Sequence, residues 1–551
     1  MLLRQWVGAA LLWLFAALPV ASQSKLVSSK PHLERRGDTT QLIVDGKPFL
    51  ALAGELHNNS ATSLEYMKPV WPRLAAMHLN TVLVPVSWAL LEPSEGEFDY
   101  SLVDGLIRGA RAQNLRLVFL WFGSWKNTWS SYAPDWVKRD SERFSRVQLG
   151  NGSGTERLSP FCEANRNADA RAFAALMRRI REVDSDAHTV IMMQVENEVG
   201  VIPDARDHSP AANAAYTQPV PEELMEYLQR HKDSLDPVLR ARWQKAGFKA
   251  SGGWEAVFGS GLETEDLFMA WQYARYVGNV AEAGKAEYDL PMYANAALIR
   301  PNYAPGQYNS GGPLPHSMDI WKAGASQLDF VAPDIYFEFK NWCAKYDRPG
   351  NPLFIPESTG DAQGAANVFY AIGQHRAFGF SPFAIDGMES SGDGGKELAR
   401  SYDVLSELAP LILENQPKGR VDGVLLEEST PSQRVRLGDY TLNVSGSGPR
   451  RILPGEPVSP EAPRGPSPHG IFIAAAPDEF YMAGSGLTIT FSADTPGPRL
   501  VGLATVEEGR FVGGRWIRGR TLAGDDTAQG NSVLLRGVAT GVLRVTVYRY
   551  R

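Results

Sequence analysis

Residues 81–122, TVLVPVSWALLEPSEGEFDYSLVDGLIRGARAQNLRLVFLWF, contain one complete copy of the pattern that decides the fold. Two short apolar runs, Thr81–Ser87 and Leu115–Phe122, enclose a segment of mixed polarity. Within that segment apolar residues recur at helical spacing, at Leu102, Leu106, Ile107 and Ala110. Two buried strands separated by an amphipathic helix form a βαβ unit with parallel strands, so the stretch predicts an α/β fold.

The same alternation extends from residue 41 to about residue 415 and contains eight apolar runs. The runs are Leu50–Gly54, Thr81–Ser87, Leu115–Phe122, Val190–Val195, Pro291–Asn295, Phe330–Ile335, Leu353–Pro356 and Ser381–Ile385. Eight strand and helix repeats predict a (β/α)8 TIM barrel with its active site at the carboxyl ends of the strands. A doubly wound open sheet is the competing fold, but the segment after the first run, Ala53–His57, has one glycine and no Gly-rich phosphate loop.

The chain changes character after the helical segment Glu397–Glu414. A Pro/Gly/Ser-rich stretch, Ser445–Pro468, stands among short β-like runs such as Leu487–Ser492 and Gly541–Tyr550. This pattern predicts a smaller all-β domain of sandwich type over residues 416–551, following a barrel over residues 30–415. The connection Gly200–Leu290 is longer than one helix needs and predicts extra helices over the barrel mouth.

The amino terminus resembles a secretory signal peptide over residues 1–22. Arg4 supplies the positive region, Trp6–Ala17 the apolar region, and Val20 and Ser22 the small residues before a cleavage site. We therefore expect export to the periplasm or the extracellular space, with an uncleaved signal anchor as the alternative. No later stretch has about 18 consecutive apolar residues, so we expect no transmembrane anchor.

The composition is that of an ordinary soluble globular protein, with 44% hydrophobic and 21% charged residues. The net charge of -7 comes with no basic stripe along the sequence, which disfavours nucleic acid as a partner and suits a neutral substrate. Cys162 and Cys343 are too few for a disulfide scaffold, and the sequence leaves open whether they pair. His57, His316 and Asp386 lack the spacing of a metal site.

Two glutamates stand at the carboxyl edges of predicted buried strands, where an ionisable group is costly unless it faces a site. Glu198 lies in MMQVENEVG, residues 192–200, after the fourth run, and Glu357 lies in LFIPES, residues 353–358, after the seventh. Strands four and seven face each other across an eight-stranded barrel. Hydrolysis of a glycosidic bond uses two such carboxyl groups, held about 5–5.5 Å apart in retaining enzymes. The pair therefore predicts a retaining glycoside hydrolase.

The chain resembles glycoside hydrolase family 35, the β-galactosidases, within the clan of retaining (β/α)8-barrel glycosidases. The resemblance covers roughly residues 35–410 and includes the pair of glutamates. The other stretches that carry it are Gln41–Phe49, Gly54–His57, Trp88–Pro93, Gln194–Glu198 and Pro333–Tyr336.

The resemblance implies Glu198 as the general acid/base, Glu357 as the nucleophile and Asn197 as the partner of the sugar 2-hydroxyl. It also implies that Glu55, Asn127 and Tyr336 line the subsite of the cleaved sugar (the glycone), and that no metal or other cofactor is needed.

The third strand departs from this family pattern. Many members carry Asn-Ala-Glu or Cys-Ala-Glu after it, whereas this chain has KNTW at residues 126–129, which keeps Asn127 but lacks the glutamate. We expect Glu55, or else Glu338, to supply the missing acceptor. Three tryptophans, Trp121, Trp125 and Trp129, are expected to form an aromatic rim, with Trp125 and Trp129 contacting the carbohydrate substrate.

The first functional hypothesis is a retaining exo-β-galactosidase that acts on galactose-capped side chains of plant polysaccharides or their oligosaccharides. The alternatives are a β-xylosidase or β-glucosidase of the same clan and a catalytically silent carbohydrate-binding protein. A protein that only binds sugar has no use for two carboxylates at catalytic spacing. The sequence does not specify the oligomeric state.

Overall fold

The computed structural model describes residues 29–388, 392–447, 465–538 and 541–551. The segment interpreted as a signal peptide lies outside these residues. The β-strands are β1 His32–Arg36, β2 Thr39–Val44, β3 Lys47–Phe49, β4 Ala51–Glu55, β5 Thr81–Ser87, β6 Arg116–Lys126, β7 Arg146–Gln148, β8 Gly154–Leu158, β9 Val190–Asn197, β10 Met292–Ala297, β11 Phe330–Ile335, β12 Phe354–Ile355, β13 Glu357–Ser358, β14 Gly379–Phe380, β15 Val421–Leu425, β16 Ser432–Leu437, β17 Tyr440–Gly446, β18 His469–Ala476, β19 Glu479–Ser485, β20 Leu487–Ala493, β21 Leu500–Val512, β22 Arg515–Thr521, β23 Val533–Leu535 and β24 Val542–Tyr550.

The α-helices are α1 Leu64–Met67, α2 Val70–Ala76, α3 Trp88–Leu91, α4 Ser101–Ala112, α5 Asp135–Arg139, α6 Glu163–Asp184, α7 Pro210–Tyr216, α8 Glu222–Arg230, α9 Pro237–Lys245, α10 Trp254–Phe258, α11 Leu262–Glu287, α12 Met318–Gly324, α13 Phe339–Tyr346, α14 Ala362–Gln374 and α15 Asp393–Asn415. Short 3-10 helices lie at Ser60–Thr62, Ile385–Gly387, Gln416–Lys418 and Gly524–Thr527. No helix in the described ranges is long and apolar enough to cross a membrane.

The larger, amino-terminal part of the chain forms a parallel β-barrel surrounded by helices. Its strands are hydrogen-bonded in the order β12-β14-β4-β5-β6-β9-β10-β11-β13. Segments β12 and β13 are two halves of the seventh strand, separated by Pro356, so that one half pairs with β14 and the other with β11. Because Pro has no N–H to donate to a ladder, the strand changes partner at this residue. The predicted TIM barrel is confirmed, and the ring excludes an open doubly wound sheet.

The prediction for the eighth strand was wrong in position. The strand is Gly379–Phe380, and residues 381–385, which were predicted to form it, continue into a turn and a 3-10 helix. Pro382 lies at this bend and cannot donate to a neighbouring strand, although its carbonyl accepts the N–H of Glu55 at 2.8 Å. The apolar run therefore belongs to the barrel mouth and not to its wall.

Elements outside the repeating strand and helix pattern precede the barrel and lie within its longest connection. The antiparallel sheet β1-β2-β3 comes first, and its Leu42 and Val44 join the apolar cluster of the barrel interior with residues such as Leu83 and Val118. In the long connection predicted to carry extra helices, α7, α8, α9 and α10 precede α11. Cys162 and Cys343 are both free thiols.

The smaller, carboxyl-terminal part of the described chain is an all-β sandwich, as predicted. A six-stranded sheet, β15-β18-β19-β24-β21-β22, and a four-stranded sheet, β16-β17-β20-β23, contribute to one apolar core. The opposite face of the larger sheet carries Ile471, Ile473 and Tyr481, which join the apolar cluster that contains the barrel helices α14 and α15. Helix α15 ends at Asn415 and β15 starts at Val421, on either side of the predicted boundary between residues 415 and 416.

Candidate active site

Four acidic side chains meet at the carboxyl ends of the barrel strands. Glu55 is the last residue of β4, Glu198 follows β9, Asp334 lies near the end of β11, and Glu357 opens β13. Parallel strands of a closed barrel all end at one mouth, so residues far apart in sequence converge there. One carboxylate oxygen each of Glu198, Asp334 and Glu357 lies within 4.8 Å of the other two. The structure therefore brings together the two glutamates that the sequence singled out.

Glu357 is held from one side only. The hydroxyl of Tyr336 donates to Glu357 Oε2 at 2.6 Å. The other oxygen, Oε1, is buried without a hydrogen-bond partner among the described residues, and the Lys126 ammonium lies 3.9 Å from it. One oxygen is thus oriented by a hydroxyl, while the other is free to meet an electrophile.

Glu198 is held through its main chain. Its backbone adopts φ 44°, a conformation that costs a non-glycine residue energy and persists only where neighbours enforce it. Its N–H donates to Asn295 Oδ1 at 3.0 Å, and Asn309 Nδ2 donates to its carbonyl at 2.8 Å. The amide of Asn295 also donates to Asp334 at 2.7 Å, so the same residue links the acid to its neighbouring carboxyl group.

Burial is the main cause of the altered acidity of Glu198. Burial and, next, the charge of Glu357 raise the pKa of Glu198 to about 7, whereas Lys126 lowers it. Burial followed by the charge of Glu357 also raises the pKa of Glu55 and Asp334 well above the ordinary range. A proton on Glu198 near neutral pH is therefore compatible with its surroundings.

Lys126, the last residue of β6, is the cation of this site. Its side chain is 7% exposed, and burial lowers its pKa, but the four carboxyl groups raise it by more, with Glu357 the largest contributor. The net direction is upward, so the ammonium stays charged. The three clustered carboxylates could hold a hard cation on geometry alone, and Lys126 supplies positive charge beside them.

Two predicted sugar contacts are buried polar groups without partners. Both oxygens of Glu55 and both polar atoms of the Asn197 amide lack hydrogen bonds among the described residues. An unpaired buried polar group costs about 1–3 kcal/mol, so such groups indicate a ligand or water that pairs with them. Asn127 is exposed at the mouth, and its N–H donates to the carbonyl of Asn197 at 3.2 Å.

The aromatic rim was predicted wrongly for two of three tryptophans. Trp125 is fully buried, and its indole N–H donates to the carbonyl of Leu158 at 3.0 Å. Trp121 is equally buried and donates to Asp169 at 2.8 Å. Both side chains pack in the core, because alternate residues of β6 point toward the surrounding helices. Only Trp129 is exposed, by 46%, and the guanidinium of Arg157 lies over its ring at 4.0 Å.

Sequence reasoning missed three residues of the site: Lys126, Asn295 and Asp334. All three stand near the carboxyl ends of predicted strands, the same signal that identified Glu198 and Glu357, and it could have found them. Glu338, the other acceptor considered, is exposed and accepts from Asn341 at 3.0 Å.

The His316 ring, the His57 main chain and Asp386 take part in hydrogen bonds. The ring of His316 lies 2.6 Å from Asp266, and Asp386 accepts the backbone N–H of His57 at 2.7 Å and the hydroxyl of Ser60 at 2.5 Å.

Comparison with known proteins yields matches to β-galactosidases. A family model described as Beta-galactosidase, that of glycoside hydrolase family 42, matches residues 65–255. The β-galactosidase of Xanthomonas manihotis is 29% identical over 212 residues, which are 38% of this chain and 32% of that protein. The chain thus spans about a third of the length of that relative. These matches support a β-galactosidase resemblance, but family 35 is not confirmed, because the matching model is that of family 42.

A second family model, described as a domain of unknown function (DUF5597), matches residues 398–534, from α15 into the β-sandwich. Similar solved structures include the cold-adapted β-galactosidase of Rahnella sp. R3, with 16% identity, a TM-score of 0.46 and coverage of 66% of this chain and 57% of that one. The catalytic domain of the β-amylase of Paenibacillus polymyxa has 13% identity, a TM-score of 0.45 and coverage of 63% and 96%.

Proposed function

We propose that this protein is a retaining exo-β-galactosidase. The observation that carries the proposal is the pair Glu198 and Glu357 at the barrel mouth, with carboxylate oxygens within 4.8 Å. Retaining glycosidases hold their two carboxyl groups about 5–5.5 Å apart, whereas inverting enzymes need room for a water molecule between them. The match of a β-galactosidase family model to residues 65–255 and the similarity to the β-galactosidase of Xanthomonas manihotis support the substrate class.

The two glutamates have different surroundings, and these suit different roles. Glu357, oriented by Tyr336 and next to Lys126, attacks the anomeric carbon with its free oxygen. Glu198, with its pKa raised to about 7, protonates the leaving oxygen as the bond breaks. Formation of the glycosyl-enzyme removes the negative charge of Glu357, which is one cause of the raised pKa of Glu198. Glu198 then becomes a stronger acid, and its carboxylate can activate the water that releases the sugar.

The unpaired polar groups define the subsite for the glycone. Asn197 is the partner proposed for the 2-hydroxyl, and Glu55 is proposed to bind the axial 4-hydroxyl of galactose, in place of the glutamate that the third strand lacks. A site built to bind a hydroxyl group rejects the epimer strongly, because a buried polar group would remain unpaired. Galactosides should therefore be preferred over glucosides.

The proposal includes the location of the protein and its natural substrates. The signal-like residues 1–22 support export to the periplasm or beyond the cell. Galactose-capped plant oligosaccharides and polysaccharide side chains are the substrates we propose there.

A panel of nitrophenyl glycosides tests the substrate class. We expect the β-galactoside to give the highest kcat/KM, and a preference for β-glucoside or β-xyloside would replace the proposal with the corresponding enzyme of the same clan. Activity on none of them would favour a protein that only binds carbohydrate.

The stereochemistry of the first product tests the mechanism. Early NMR spectra should show the β-anomer of galactose, since two displacements return the original configuration. Appearance of the α-anomer first would show a single displacement.

A further inference from the structure

Two cavities adjoin the active site, one at Lys126 and the other at Tyr336, and they differ in charge. One has a volume of about 870 Å³, and its lining includes Lys126, Asn127, Trp129, Lys138, Arg146 and Glu156; we call it the basic groove. The other, of about 320 Å³, adjoins Tyr336 and is lined by Glu338, Asp361 and Glu427 among others. The basic groove therefore favours an anion, and the smaller cavity repels one.

Two of the three cations of the basic groove, Lys138 and Arg146, have no close ion pair, whereas Lys126 faces Glu357. No carboxylate lies within 4.0 Å of Lys138 or Arg146 among the residues that the structure describes, although Asp135 and Glu156 act on Lys138, and Glu156 on Arg146, from farther away. The Lys138 ammonium donates to the carbonyl of Ser131 at 2.6 Å, and Arg146 donates only to backbone carbonyls, such as that of Lys138 at 3.0 Å. Burial holds the pKa of Lys138 and of Arg146 below their ordinary values, in the direction that a bound anion would reverse.

The basic groove also offers a surface for a sugar ring. Trp129 is exposed, and because Arg157 covers one face of its indole ring, the other face is left for stacking. Ser131 and Ser141 line the same space, and their hydroxyls can pair with sugar hydroxyls.

The position of the basic groove determines which part of a substrate it can hold. Glu55, Asn197 and Glu357 are buried, so the sugar that reaches them must enter from an opening. The basic groove begins at Lys126, which contacts Glu357, and is the larger of the two cavities. An enzyme that removes terminal sugars needs one such opening, and the remainder of the substrate (the aglycone) occupies it.

We infer that the basic groove binds an anionic saccharide unit, a uronate, so that the preferred substrates are β-galactosides whose aglycone carries a carboxylate. This inference rests on the proposed function and specifies its substrate class.

The test compares two disaccharides with the same linkage, galactose β-linked to glucuronic acid or to glucose, which differ in the carboxylate at C6. We expect kcat/KM to be about five- to tenfold higher for the glucuronate at low ionic strength, and this preference to disappear in about 0.5 M salt, because exposed charges are screened. Lys138→Gln should lower the ratio of the two kcat/KM values, and the double variant Lys138→Gln/Arg146→Gln should bring it close to one.

Arg139→Gln provides a matched control. Arg139 is the next residue along α5, is exposed, and pairs with Asp135 at 2.6 Å, outside the basic groove lining. It should keep the full preference. Equal kcat/KM for both disaccharides in the wild-type enzyme, or a preference that survives in the double variant, would overturn the inference while β-galactosidase activity stands. If the wild-type protein cleaves no β-galactoside at all, the proposed function and this inference are both wrong.

Discussion

At the scale of single residues, the roles of Glu198 and Glu357 separate under chemical rescue. Glu357→Gln removes the attacking oxyanion but keeps the size of the side chain, so turnover should fall by several orders of magnitude while binding is retained. Glu198→Ala should still form the glycosyl-enzyme from an activated aryl galactoside, and azide should restore its breakdown, because azide needs no general base. Steady-state kinetics with and without azide measure both effects. Rescue of Glu357 variants alone would reverse the two assignments.

Glu55 is the residue on which the discrimination between galactose and glucose is proposed to depend. Glu55→Ala should lower kcat/KM for the galactoside by a factor equivalent to about 2–4 kcal/mol of transition-state stabilisation, as the loss of a hydrogen bond to a buried carboxyl group would. The loss for the glucoside should be smaller, so the ratio between the two substrates narrows. Glu338→Ala is the control, because Glu338 is exposed and bound to Asn341. An unchanged ratio in Glu55→Ala would remove Glu55 from the glycone subsite.

Lys126 should influence the pH at which activity falls on the alkaline side, through the pKa of Glu198. Glu198 must carry a proton to assist departure of the leaving group, so activity should fall as the pH rises through the pKa of Glu198, about 7. Lys126 lowers that pKa, and Lys126→Met should therefore move the alkaline limb to higher pH while lowering the maximal rate. Lys126→Arg keeps the charge and should shift the limb less. An alkaline limb of Lys126→Met at an unchanged or lower pH would contradict the proposed effect of Lys126 on Glu198.

At the scale of elements, the loop between β10 and α12 links helix α11 to Glu198 through hydrogen bonds. Asp266 on α11 accepts from the Tyr308 hydroxyl at 2.8 Å and from the Gly311 N–H at 2.5 Å. Between these residues, Asn309 donates to the carbonyl of Glu198. Removal of the Asp266 side chain should therefore disturb the loop and, through it, the position of Glu198.

Asp266→Ala leaves buried donors unpaired and should cost about 1–3 kcal/mol of stability for each group. It should also lower kcat more for galactosides with poor leaving groups than for nitrophenyl galactoside, because the former depend more on the acid. Thermal unfolding and the kcat ratio between the two substrates are the measurements. Asp233→Ala, at an exposed position, is the matched control. A stability loss without a change in the ratio would show that the loop does not position Glu198.

At the scale of the whole molecule, the β-sandwich and the barrel share an apolar interface. Ile471, Ile473 and Tyr481 of the larger sheet are at most 7% exposed and join the cluster around α14 and α15. A large apolar interface couples the unfolding of two domains. The sandwich should therefore stabilise the barrel.

The variant Ile471→Ala tests this coupling. It should cost about 2–5 kcal/mol and lower the temperature of a single unfolding transition, since a buried side chain is replaced by a cavity. Ile517→Ala, at a position that is 51% exposed, should leave the transition nearly unchanged. Calorimetry that resolves two transitions, with only one of them shifted, would show that the domains unfold independently.

The sequence by itself determined the barrel, the sandwich and the places of Glu198 and Glu357. Buried parallel strands appear as short apolar runs, and a charged residue at the end of such a run stands out. Two features of the strands at Pro residues were not predicted: the eighth strand ends before Pro382, which places it earlier than the predicted run, and the seventh changes partner at Pro356. The sequence of one β-strand does not show which neighbouring strands it pairs with.

Only the tertiary structure decided which side chains share a space. Trp125 and Trp129 are close in sequence, yet Trp125, in β6, is core and Trp129, in the turn after β6, faces the basic groove. Lys126, Lys138 and Arg146 form no charge run in the sequence, but the folding of β6, α5 and β7 brings them to one groove. Electrostatic interactions depend on distance through space, and the chain sets that distance only when it closes into the barrel.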